Sequence, residues 1–174
     1  MPNRNKNKGN NGEREVCKIF GEVFNQPFQR VPNSGGMRGG LNNKKTEDLD
    51  DRQRSLLEND IIPPECFPHC ALEVKTRNDF SFHQLFREEG VLELNNWIDQ
   101  VKESGIDMNT SFPMIVFKPN RKGWYLVLWG EKIKDYPLGK ESFCFYKYNS
   151  EQFIILEMEP FLINNRDYLI RKFS

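Results

Sequence analysis

Asn59-Asp60-Ile61-Ile62 and Ala71-Leu72-Glu73-Val74-Lys75-Thr76 are two short apolar runs with charge at set places. In the second, Glu73 and Lys75 alternate with aliphatic residues. A strand has a side-chain period of two, so both would lie on one face, about 6–7 Å apart. With Asp60-Ile61-Ile62 as the neighbouring strand, Asp60 lies beside Glu73, and two carboxylates and an ammonium share one patch of a sheet edge. Carboxylate oxygens suit Mg²⁺, a hard cation that keeps several waters. A lysine beside such a metal can orient or deprotonate a water, and these are the parts of metal-assisted phosphodiester hydrolysis. The same residues also fit a solvated ion pair worth about 0–1 kcal/mol, and the two runs alone leave both readings open.

Upstream, Asn10 or Asn11 can cap a helix whose first turn carries Glu13 and Glu15. Val16, Ile19, Phe20 and Val23 recur at i, i+3, i+4 and i+7, one apolar stripe. Glu13 lies on nearly the same face near the helix start, where it can serve the helix dipole or point at whatever the helix packs on. Residues 1–9 have no apolar residue after Met1 and read as a disordered basic tail. Phe28-Gln29-Arg30-Val31-Pro32 reads as a short strand ended by proline. The glycine-rich stretch from Asn33 to Gly40 follows, a loop whose backbone can approach a phosphate or serve as a linker. It lacks the Gly-Lys-Ser/Thr ending of a Walker loop. The charged stretch from Thr46 to Leu57 reads as a short helix or an insertion.

Between the two opening runs, Cys66, His69 and Cys70 invite a zinc reading. Structural zinc needs four ligands, usually two spaced pairs, and Cys17, His83 and Cys144 are each isolated. Downstream, Ser81 starts a helix running to about Ser104, with Gly105 as its stop. Phe112 to Lys118 and Gly123 to Trp129 read as two central strands joined by a turn. Ser142 to Tyr148 alternates like a strand, Phe153 to Leu156 is a further strand or a helix start, and Phe161 to Phe173 reads as helix.

The 174 residues suit one domain spanning 10–174. Net charge is zero, which excludes a generic polycation, but residues 1–45 hold nine basic and three acidic side chains. That asymmetry suits an N-terminal region that meets a polyanion, or a basic solubilising tail. No apolar run nears the ~20 residues that span a bilayer. The polar N-terminus lacks a signal-peptide core, so a reducing, cytoplasmic location and free thiols are expected.

Taken in order, the words Lys8-Gly9-Asn10-Asn11-Gly12-Glu13-Arg14-Glu15, Arg30-Val31-Pro32-Asn33-Ser34-Gly35-Gly36, Asn59-Asp60-Ile61-Ile62 and Leu72-Glu73-Val74-Lys75-Thr76 resemble the PD-(D/E)xK nuclease superfamily. Within it, they resemble most the archaeal-type Holliday junction resolvases and their phage relatives, over about residues 8–130. The resemblance implies an α/β, restriction-endonuclease-like fold, a mixed β-sheet flanked by helices, in a twofold homodimer. Glu13, Asp60 and Glu73 would bind Mg²⁺, with Mn²⁺ as a substitute, and Lys75 would assist the attacking water. The implied partner is branched DNA, a four-way junction, with no small-molecule cofactor and no membrane. Lys8, Arg14, Arg30, Arg38 and Arg77 would contact phosphates, and the Ser34-Gly35-Gly36 loop would reach into the junction.

The chain departs from that pattern in four places. Asn59 stands where the family has proline, and Met37 to Glu58 is longer than usual and acidic. The part from about residue 131 has no clear counterpart. The family's glutamine on the helix after the Glu-x-Lys word falls on Gln84, or is replaced by Glu88 or Glu89. Competing readings are another DNA nuclease of the same chemistry, restriction-like or DNA-degrading, and an inactive nuclease fold that only binds DNA.

Overall fold

The computed structural model describes residues 4–32, 59–104, 106–136 and 142–174, with side chains from Lys8 onward. Ser34, Gly35, Gly36, Arg38 and the charged stretch from Thr46 to Leu57 lie outside the described residues.

Helix α1 (Arg4–Phe24) opens the chain. It starts before the expected cap, and both asparagines are engaged by arginines. Asn10 Oδ1 accepts from Arg30 Nη2 at 2.8 Å, and Asn11 Oδ1 accepts from Arg14 Nη1 at 3.3 Å. The predicted stripe is real: Val16 and Phe20 are fully buried, with Ile19 and Val23 packed at the flanks. Asn25 ends the helix in the left-handed region (φ 52°), and Arg166 Nε covers the Val23 carbonyl at 2.8 Å.

A two-stranded ribbon, β1 (Gln29–Arg30) with β2 (Ile61–Ile62), is antiparallel. The main sheet holds β3 (Cys70–Arg77), β4 (Phe112–Pro119), β5 (Tyr125–Trp129), β6 (Phe143–Tyr148) and β7 (Glu151–Glu157). Its spatial order is β3-β4-β5-β7-β6. β3 runs parallel to β4, Glu73 facing Ile115 and Lys75 facing Phe117, while every other pairing is antiparallel. A parallel pair needs a crossover. It comes from a 3₁₀ turn (Phe82–Phe86) and helix α2 (Leu92–Glu103).

One helix from Ser81 to Ser104 was the expectation, and the structure breaks it at Gly90. Gly90 is left-handed (φ 67°), and a Cβ built there would lie 2.3 Å from the Tyr146 hydroxyl. Tyr146 on β6 accepts the Val91 amide at 3.0 Å, so a distant strand fixes where α2 begins.

The pleat sorts the core into two layers. Leu72 and Val74 face α1, and with Met114, Val116, Phe20 and Phe24 they fill one. Ala71 faces α2, and with Ile115, Phe117, Leu94, Trp97 and Ile98 it fills the other. Helices α3 (Met158–Asn164) and α4 (Arg166–Phe173) close the α1 side. Phe173 meets Phe24 and Phe67 at ring-centroid distances of 5.4 and 5.6 Å. Each such buried ring contributes roughly 1.5–3 kcal/mol. The four cysteines are free thiols. Among the described residues no helix is long and apolar enough to cross a membrane.

Candidate active site

β3 is an edge strand of the main sheet, and Asp60 finishes that edge. Its backbone N–H donates to the Leu72 carbonyl at 3.2 Å, and its Oδ2 accepts the Val74 amide at 2.9 Å. A carboxylate oxygen thus takes the place of a strand carbonyl. Asp60 is held on the other side by its carbonyl, which accepts from Val31 N at 3.0 Å. The two bonds to β3 bracket Glu73, so the expected adjacency of Asp60 and Glu73 is present.

Glu73 and Lys75 share the α2 face, as period two requires. The Lys75 ammonium lies 2.5 Å from Glu73 Oε1 and donates to Gln100 Oε1 at 2.8 Å. Gln100 Nε2 donates back to Glu73 Oε1 at 3.1 Å. The Glu73 side chain is 5% exposed and that of Lys75 12%. That burial separates this pair from a solvated surface pair, because a charge taken out of water must be compensated locally.

The glutamine of this network is Gln100, not Gln84, Glu88 or Glu89, which lie on the 3₁₀ turn and its exit. The signal was in the sequence: Gln100 stands three residues after Trp97 on the same helix face.

Glu13 approaches from α1, on the other face of β3. It is buried and paired with Arg30, whose Nε donates to Glu13 Oε2 while Nη2 holds Asn10. Burial raises the Glu13 carboxyl above its ordinary value. The Arg30 hydrogen bond works against that rise, and the Asp60 charge adds to it. The Asp60 contribution puts both acids in one electrostatic neighbourhood. Among the described residues, no three His, Cys, Asp or Glu side chains converge as ligands of one ion. The three acids form two adjacent groups, Asp60 with Glu73 on β3 and Glu13 with Arg30 under α1. The same finding covers Cys66, His69 and Cys70, where Cys66 is exposed and Cys70 buried.

A family model described as "Phage putative PDDEXK endonuclease" matches residues 4–171. The chain belongs to this family. No curated protein and no solved structure gives a significant match. The match spans Asn59-Asp60 and Glu73-Val74-Lys75, the words expected to carry the PD-(D/E)xK pattern, and Asn59 is buried. The five-stranded mixed sheet with flanking helices is the restriction-endonuclease-like architecture.

The cations expected to meet DNA in this PD-(D/E)xK chain occupy different surroundings. Lys8 donates to Asn78 Oδ1 at 2.9 Å, and Arg14 is exposed beside Asn11. Arg30 is turned inward to Glu13. Arg77 pairs with Glu93 and stacks 5.3 Å over Trp97.

Proposed function

We propose that this PD-(D/E)xK chain is a divalent-metal-dependent endodeoxyribonuclease that cuts branched DNA, with the four-way junction as its preferred substrate. The observation that carries the proposal is the buried Glu73–Lys75–Gln100 network with Asp60 locked against Val74 beside it. An ion pair needed only for solubility has no reason to be buried at a strand edge and braced by an amide.

The donor chemistry fits Mg²⁺, with Mn²⁺ as a substitute. Asp60 keeps Oδ1 for a cation while Oδ2 is spent on Val74, and Glu73 offers a second carboxylate. Mg²⁺ is commonly held by one or two carboxylates, waters and substrate phosphate, so a two-acid group suffices. Glu13 stands on the α1 side, paired with Arg30. When bound, the metal supplies Lewis-acid stabilisation of phosphate charge and lowers the pKa of water.

The chain's own residues do the rest. Lys75, a donor only as an ammonium, steadies charge developing on the attacking oxygen and the phosphate. Gln100 holds Lys75 and Glu73 in register. Attack of water forms a new P–O bond as the bond to the leaving sugar oxygen breaks, and the water's proton ends on solvent or that oxygen.

Junction preference and a homodimer are read from the resemblance and from symmetry: a four-way junction offers two equivalent strands, and a twofold dimer can place one site at each. Cleavage of a synthetic four-way junction against linear duplex, with Mg²⁺ or EDTA, tests this. Metal-dependent cutting confined to the junction is expected. Equal cutting of linear duplex contradicts junction selectivity and favours a general DNA nuclease.

A further inference from the structure

On the α1 side of β3 a hollow of about 180 Å³ opens between α1, the end of β3 and the β4–β5 turn. It has the volume of roughly six waters, enough for a phosphate group. Three cations line it, Lys8, Lys118 and Arg121, against one carboxylate, Glu15.

That carboxylate is already committed. Lys118 Nζ lies 2.5 Å from Glu15 Oε1, and the Trp124 indole N–H donates to the same oxygen at 2.9 Å. Engaged by both the ammonium and the indole, Glu15 acts as an anchor. It fixes the Lys118 ammonium, which also rests 5.1 Å over the Trp124 ring. Lys8 is fixed in turn by Asn78. Arg121 is exposed and makes no ion pair with a described residue. Gly12 forms the floor, where a Cβ would stand 2.4 Å from Thr76 Cγ2.

The hollow shares α1 and β3 with the site, but lies on the face of β3 opposite Glu73 and Lys75, on the side of Glu13. Gly12 immediately precedes Glu13, and Thr76 immediately follows Lys75. Lys8 lies five residues before Glu13 on α1, about 7.5 Å of helix rise. We propose that this hollow is a second phosphate subsite. It takes a backbone phosphodiester of the bound DNA through Lys8, Lys118 and Arg121. The inference rests on the nuclease reading above. It sends the DNA past the first turns of α1 to the β4–β5 turn.

The test uses the full-length chain and fluorescent DNA in EDTA, so that binding is read without cutting. Lys8→Gln with Arg121→Gln is compared with wild type over a salt series, and Arg171→Gln on α4, at the far end of α1, is the control. A protein that neutralises phosphates loses affinity with salt in proportion to their number. The double variant is expected to bind about tenfold or more weakly, with a salt slope shallower by roughly 1–2, and its loss of Mg²⁺-dependent cleavage to fall mainly on KM. Arg171→Gln follows wild type. Affinity and slope equal to wild type in the double variant, with wild-type cleavage intact, overturn the subsite and leave the nuclease reading standing. A wild type that neither binds nor cuts DNA overturns both.

Discussion

β3 and β6 bound the same five-stranded sheet, yet they are finished in opposite ways. Along β3, the Asp60 main chain and carboxylate complete the ladder, and the α2 face carries Glu73 and Lys75, almost wholly out of water. Along β6, Phe143 and Phe145 stack edge to face, centroids 5.0 Å apart, and stand open to solvent at 37% and 50% exposure. Lys147 lies on that edge as well, exposed. Charged residues on an edge discourage pairing with other chains, and β6 needs nothing more. The hydrophobic effect alone would have arranged these residues the other way round, with rings inside and charges outside. What reverses it at β3 is hydrogen bonding: the acids, the ammonium and the amide satisfy one another, so burial is tolerable there and chemistry becomes possible.

Breaking the β3 network should produce the largest effects. Lys75→Ala removes the ammonium and leaves Glu73 buried without its counter-charge. Cleavage is expected to fall about 10²–10³-fold, with a stability loss of about 3–5 kcal/mol in urea unfolding. Gln100→Ala leaves both charges in place but unbraced. A fall in cleavage of about 10–100-fold is expected, as for groups that orient metal ligands, and wild-type rates from this variant would show that the amide is incidental. Gly12→Ala probes the opposite face of β3. The added methyl runs into Thr76, so a stability loss of about 1–3 kcal/mol is expected from overpacking. The β6 edge should be nearly silent: Phe145→Ser is expected to change stability by no more than about 0.5 kcal/mol and to leave cleavage untouched. A large effect there would mean that β6 is covered by something in the active protein.

The contrast between the edges was partly legible in the sequence. Alternation over Leu72-Glu73-Val74-Lys75 fixed the facing of Glu73 and Lys75, because period two is a local property. The stripe through Val16, Ile19 and Phe20 and the apolar runs of β4 and β5 were visible for the same reason. What was not legible depends on partners far along the chain. The start of α2 is set by Tyr146 pressing on Gly90, and with it the position of Gln100. The insertion of β7 between β5 and β6 leaves no mark on any single strand. Burial of the Glu73–Lys75 pair exists only once α2 is in place.

The most direct test of the account is Asp60→Asn. Asparagine keeps an oxygen for the Val74 amide, so the β3 edge is retained, while the charge that would hold a divalent cation is lost. The expected result is an unfolding curve within about 1 kcal/mol of wild type, with Mg²⁺-dependent DNA cleavage reduced at least about 10²-fold. Cleavage by Asp60→Asn within a few-fold of wild type, in a folded protein, would contradict the central claim that the β3 edge is a metal-dependent active site.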